Sequence, residues 1–149
     1  MELRLMLRNG FEYDLWANRK WIDGLGGFDR YLGRAQEVLE HVHLAQTTWL
    51  MRCGMEVFSQ QENLALRDLF EITTRSWQAL IEEMTGEEEV TYQTFAGETF
   101  TNTLAQISYH VINHGTYHRG QLRGLAEADG YLGFPETDLI AYLRQRDKS

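Results

Sequence analysis

The stretch Thr103-Leu104-Ala105-Gln106-Ile107-Ser108-Tyr109-His110-Val111-Ile112-Asn113-His114-Gly115-Thr116-Tyr117-His118-Arg119-Gly120-Gln121 decides how this chain is read. It opens with a capping box. The Thr103 hydroxyl can accept from a backbone N–H one turn on, and the Gln106 side chain can reach back to the Thr103 amide. A helix is expected from there to about Asp129, with Gly130 behind it. Along it His110, His114 and His118 recur every fourth residue. Four residues advance a helix by about 400°, so the three imidazoles share one face.

The rest of the chain supplies partners for this helix. Over residues 3–25, Leu3, Met6, Leu7, Phe11, Leu15, Asn18, Ile22 and Leu25 recur mostly at spacings of three and four, and Gly24-Leu25-Gly26-Gly27 ends the run. Residues 31–53 repeat the pattern through Leu32, Ala35, Val38, Leu39, Val42, Ala45, Trp49 and Leu50, with Cys53-Gly54 as the stop. Residues 62–85 do so through Leu66, Leu69, Phe70, Thr73, Trp77, Leu80, Ile81 and Met84, before Gly86. Residues 87–102 break the period. Val90, Tyr92 and Thr94 alternate with polar neighbours and Ala96-Gly97 stands where a turn belongs, so a short β-hairpin is expected. After Pro135, Thr137-Asp138 can cap a short last helix through Leu143. These elements predict an all-α fold, a four-helix bundle with a long third connection and a short C-terminal helix, in one domain over residues 1–149. The first two connections are short, so the helices they join are expected to be antiparallel neighbours. The third is expected to cross one end of the bundle.

Composition narrows the function classes. Of 149 residues 43% are apolar and one is proline, which suits a packed core of long helices. Fourteen Lys and Arg against 22 Asp and Glu give −8, a surface that repels phosphate backbones and argues against nucleic acid as partner. One cysteine, Cys53, excludes an intrachain disulfide framework and a Cys-rich zinc module. The N-terminal residues do not read as a signal peptide. The longest run without Asp, Glu, Lys or Arg, Thr99 to His118, is too polar to span a bilayer, so no membrane association is expected and a cytoplasmic location is.

All five histidines fall in two clusters, His41 with His43 and the trio on the last long helix. His110 and His118 stand about 12 Å apart along the axis, too far to share one ion, so the pair is His110 with His114 or His114 with His118. His41 and His43 differ by about 200° around their helix, so only one can face inward. His41 has Val38, Leu44 and Ala45 one turn away, whereas His43 has Leu39, Glu40, Gln46 and Thr47, so His41 is expected to be the inward one. Two histidines from one helix and one from another make a three-nitrogen centre with a position left open, as in catalytic sites. Competing signatures are missing. Glu40 to His43 is one Glu-x-x-His where a di-iron bundle needs two, because Ile107 and Val111 stand three before His110 and His114. Gly115 after His114 breaks the His-Glu-x-x-His pattern.

The chain resembles the DinB/YfiT-like family of metal-dependent enzymes. The string from Asn113 to Gln121 is similar to that family's fourth-helix signature. Val38-Leu39-Glu40-His41, with Trp49 eight residues after His41, resembles the second-helix signature, and Tyr13-Asp14-Leu15-Trp16-Ala17-Asn18 the first-helix opening. Gly97-Glu98-Thr99-Phe100 and Pro135-Glu136-Thr137-Asp138-Leu139-Ile140 fit as well. The resemblance implies a divalent metal on His41, His114 and His118, and a homodimer. It also implies kinship with S-transferases and isomerases that use low-molecular-weight thiols. One departure is Gln46, where many relatives carry an acid.

The expected function is that of a metal-dependent enzyme acting on a small-molecule substrate. Zinc is the first expectation, with nickel, iron or manganese behind it. Such an ion lowers the pKa of bound water or of a substrate thiol, which serves hydrolase or thiol S-transferase chemistry. The alternative is a non-catalytic metal-binding or dimerising bundle protein of a stress response. Of the lesser candidates, His110 is expected near the ion but outside its ligand set, and Asn113 or Gln121 is placed to orient a ligand imidazole. Arg119 is expected to pair with a carboxylate on another helix. Trp49 can wall a pocket, Tyr13 and Tyr117 are expected to pack with satisfied hydroxyls, and Cys53 to be inert. Phe28, Tyr31, Phe58 and Phe134, outside the stripes, are the expected material of a dimer interface.

Overall fold

The computed structural model describes residues 2–56 and 64–147. Its helices are α1 (Glu2–Gly24), α2 (Leu32–Arg52), α3 (Leu66–Glu82), α4 (Leu104–Ala128) and α5 (Leu139–Asp147), with one 3-10 turn at Leu25–Gly27. Strands β1 (Glu89–Gln93) and β2 (Thr99–Thr103) form an antiparallel hairpin in which Glu89 faces Thr103 and Gln93 faces Thr99. The fold is therefore all-α with one small hairpin, as expected. Two boundaries differ. Leu64 and Ala65 are not helical, so α3 starts at Leu66, and positions 62–63 of the expected helix lie outside the described residues. The last helix continues past Leu143 to Asp147.

The start of α4 follows from the capping box. The Gln106 amide donates to Thr103 Oγ1 at 3.1 Å, and the Thr103 amide donates to Gln106 Oε1 at 3.0 Å. At the hairpin tip Gly97 takes φ +86°, and Gly54 takes φ +84° behind α2, both in the left-handed region that favours glycine.

Packing fixes the helix directions. α1 and α2 each lie between α3 and α4 and face one another across the bundle. Arg8 pairs with Glu82, Arg75 with Glu12 and Arg67 with Asp23, so α1 and α3 are antiparallel. His43 meets Thr73 and the Gln46 carbonyl meets Trp77, and Leu50 shares a core cluster with Ile81, so α2 and α3 are parallel. This corrects the expectation for the second connection; α1 and α2, joined by the first, are antiparallel as expected but lie across the bundle from one another rather than side by side. Thirteen residues, 53–65, separate α2 from α3. Thirteen extended residues reach about 43 Å, more than the ~30 Å of a 21-residue helix, so the length of this connection permits a return along the bundle. By the same reasoning α1 and α4 are parallel, with Gly10 against Ile112 and Asp14 against Arg119, and α2 and α4 are antiparallel.

The apolar core has two main parts. Near the hairpin, Phe11 stacks on Trp77 with centroids 5.0 Å apart among Leu50, Ile81 and Val111. At the other end Trp21, Leu39 and Leu122 pack with Phe28. Phe28 is thus core, not interface material. Phe134 is half-buried against Trp21, Tyr31 is exposed, and Phe58 lies outside the described residues.

Between the two parts runs a buried polar layer. Arg119 Nη1 donates to Asp14 Oδ1 and to Asn18 Oδ1, both at 2.7 Å. Asp14 Oδ2 accepts from Asn18 Nδ2 at 2.9 Å and from Gln46 Nε2 at 2.5 Å. Asp14 is 0% exposed and Arg119 3%, so the pair is neutral in sum and sealed from water. Such a pair adds little net stability but penalises any packing that separates its members. It ties α1, α2 and α4 together at one level, and that level is where the histidines of α4 stand.

Candidate metal centre

Neighbouring residues of α4 serve two different helix seams. Gly115 and Arg119 face α1, while His114 and His118, each one position earlier, face α2. The close approach to α1 requires a glycine at position 115, because a Cβ there would sit 2.2 Å from Asp14 Oδ1. With α4 pressed against α1, the imidazoles of His114 and His118 project into the seam with α2, where His41 meets them.

Ring centroids of His114 and His118 are 4.4 Å apart, those of His41 and His118 4.6 Å, and those of His41 and His114 5.2 Å. Nε2 of His114 lies 3.1 Å from Nε2 of His118, and one ring nitrogen from each of the three falls within 4.8 Å of the others. Two nitrogens held by one ion at about 2.1 Å would be separated by about 3.0 Å at a right angle and about 3.4 Å at a tetrahedral one. The separation across the α4 pair fits that range, and a three-histidine cluster of this kind could hold a divalent metal.

The three expected residues therefore come together, but not in the bundle interior. His41 is exposed, and with His118 it lines a cleft of about 750 Å³ together with Arg34, Glu37, Val38, Tyr117 and Gln121. The inward histidine of α2 is His43, which bonds Thr73 Oγ1 at 2.9 Å and packs edge-on against Phe70. The expectation that His41 faces inward is corrected. α2 has two neighbours, so a 200° step sends one histidine to α3 and the other to the seam with α4, rather than one to the core and one to water.

Electrostatics favour uncharged rings. Burial, followed by the charges of His118, His41 and His110, pushes His114 down to about 4. Burial, then the charges of His118 and Arg34, lowers His41. Neutral imidazoles present the lone pairs that a cation needs. Gln121 Oε1 lies 3.0 Å from His118 Nδ1, which holds the ring with Nε2 toward the cluster, the orienting role expected of it.

The other candidates sort by face. His110 lies one turn before His114, centroids 5.8 Å apart, and stacks edge-on with Trp49 outside the cluster. Trp49 walls a smaller cavity of about 260 Å³ with Tyr92 and His110. Asn113 faces a separate cavity of about 390 Å³ against residues 135–139, away from the triad. The Tyr13 hydroxyl donates to the Thr137 carbonyl at 2.5 Å, whereas Tyr117 stands exposed at the cleft. Burial pushes the Cys53 thiol up to about 11, so it is un-ionised and inert. Gln46 is bonded to Asp14 in the polar layer and does not face the cleft. Sequence reasoning missed Asp14. Its signal was Asn18, a polar residue within the apolar stripe of the first helix.

Among the described residues no helix is long and apolar enough to cross a membrane. No solved structure matches the chain with significant similarity. Protein DinB of Bacillus subtilis (strain 168) is 25% identical over 157 residues, spanning 89% of this chain and 91% of that relative. The profile of the DinB family matches residues 28–146, which takes in α2, α3, α4, the hairpin and all three clustered histidines, and the chain belongs to the DinB family.

Proposed function

We propose that His41, His114 and His118 hold one divalent ion, zinc before nickel, iron or manganese, and that the protein is a metal-dependent enzyme of hydrolase or thiol S-transferase type. The observation that carries this reading is the convergence of three imidazoles from two helices, two of them lining an open cleft, with the His114–His118 separation of 3.1 Å matching ligands of one ion. Three protein nitrogens leave room for a substrate atom. An ion bound there brings water or a thiol toward ionisation at neutral pH. The chain's own residues do the rest. Gln121 fixes the tautomer and tilt of His118, so that its free lone pair stays turned to the cluster. The Asp14–Arg119 pair fixes the rotation of α4, and with it the direction of both its histidines. Tyr117, Gln121 and Arg34 give the cleft hydrogen-bonding walls for a small polar substrate such as a low-molecular-weight thiol.

The protein works as a homodimer in the cytoplasm. Met6, Tyr109, Leu139 and Ile140 are exposed apolar side chains that a partner copy would cover.

Elemental analysis of the purified protein and of His118→Ala tests the assignment. One metal equivalent per chain is expected in the wild type. Removing one of three ligands should weaken retention by about two orders of magnitude or more while the helical circular dichroism persists. Undiminished metal in the variant would mean that the ion sits elsewhere. A loaded protein that turns over no thiol or hydrolysable substrate would favour the non-catalytic alternative.

A further inference from the structure

We infer that Arg34 is the anion-recognition residue of the cleft, so that the molecule reaching the triad carries a carboxylate or similar anion besides its metal-ligating atom. The inference rests on the metal reading of His41, His114 and His118, and it adds a substrate class to it.

Position comes first. Arg34 stands seven residues before His41 on α2, about 10.5 Å along the axis, and seven residues advance a helix by about 700°, within about 20° of two full turns. The two side chains therefore share a face, and both line the same cleft with His118 and Gln121. Among the described lining residues Arg34 is the one Lys or Arg.

Availability comes second. The guanidinium is half-exposed, and its ion-pair partner is Glu37 at 3.4 Å on the same helix, a long contact between two solvated groups. An exposed pair of this kind is easily exchanged for a ligand's carboxylate, to which the planar guanidinium fork offers two parallel donors. The surrounding protein carries a net charge of −8 and repels anions in general, so one cation at the mouth of the cleft selects where an anion settles. The axial separation suits a compact ligand with a few carbons between its two groups.

The test uses full-length protein loaded with Co2+, whose thiolate charge-transfer absorption reports a sulfur on the ion. Three thiols of similar size are titrated: 3-mercaptopropionate, 2-mercaptoethanol and cysteamine, which are anionic, neutral and cationic. The variants are Arg34→Gln and, as a charge control, Arg67→Gln, which removes a cation from an exposed pair with Asp23. Arg34→Gln is expected to weaken 3-mercaptopropionate roughly tenfold relative to 2-mercaptoethanol, as loss of a charge-assisted contact does. It should not weaken cysteamine, and Arg67→Gln should leave all three thiols unchanged. Losses equal across the three thiols, or no loss for 3-mercaptopropionate, overturn the assignment of Arg34 and leave the metal reading standing. Cobalt uptake with no absorption band for any thiol overturns the substrate class. Failure to bind cobalt at all overturns the metal reading, and this inference with it.

Discussion

Replacing Gly115 with alanine should destabilise the protein although it is a glycine-to-alanine change inside a helix. On propensity alone the substitution would be favourable by about 1 kcal/mol. At this position the new methyl carbon would stand 2.2 Å from Asp14 Oδ1, 2.9 Å from Arg119 Nη1 and 3.3 Å from Asp14 Cγ. Carbon and oxygen atoms need about 1 Å more than that first distance. Asp14 has a short side chain and is fully buried, so it must turn away or α1 must shift. Either movement breaks the 2.7 Å contact with Arg119. Overpacking costs about 1–3 kcal/mol, and separating a buried ion pair about 3–5 kcal/mol when the loss is complete. Partial loss combined with the propensity gain leaves a net destabilisation of about 3 kcal/mol. For a domain of this size that lowers the melting temperature by about 6–12 °C. Gly124, further along the same helix, is the internal control. A Cβ there meets nothing within 4 Å, so Gly124→Ala should stabilise by up to about 1 kcal/mol. Urea unfolding of the two variants beside the wild type measures both numbers. If Gly115→Ala is as stable as the wild type, or if both variants shift in the same direction, the buried Asp14–Arg119 packing described above is wrong.

Three further outcomes follow from individual contacts. Gln46→Glu replaces a donor to Asp14 by a second carboxylate, whose pKa in the folded state must rise; the penalty should be small near pH 4 and grow as pH increases through the carboxylate range, read from denaturant curves at several pH values. In the metal-free protein His114 is held neutral down to about 4 while the unfolded chain takes up a proton near 6.5, so its contribution is full above that pH and is lost as pH falls from about 6.5 toward 4; His114→Gln should flatten that part of the stability profile. His43→Ala should cost about 1–2 kcal/mol by removing the contact to Thr73 and the packing on Phe70, yet leave metal content unchanged in elemental analysis.

The features written in local chemistry were the readable ones. Thr103 and Gln106 announce the start of α4, Ala96-Gly97 the hairpin turn and Cys53-Gly54 the end of α2, because each depends on residues within a few positions. The i,i+4 spacing of His114 and His118 is fixed by helix geometry, and so is the separation of His41 from His43. The direction of α3 was not readable. Residues 53–65 are long enough for either orientation, and the choice is made by core partners distant in sequence, such as the Gln46 carbonyl with Trp77. The face of His41 was misjudged for a related reason, since apolar neighbours one turn away do not say which of two adjacent helices they pack against. Arg119 was expected to find a carboxylate, but its identity as Asp14, and the reason for Gly115 between the histidines, required three helices at once.

X-ray absorption at the zinc edge, on protein loaded with one equivalent of zinc, tests the central claim most directly. The account predicts three imidazole nitrogens and at least one further light atom at about 2.0–2.2 Å, with no sulfur, and one imidazole fewer in His118→Ala. A sulfur ligand, fewer than three imidazoles in the wild type, or a spectrum unchanged by His118→Ala would contradict the assignment of His41, His114 and His118.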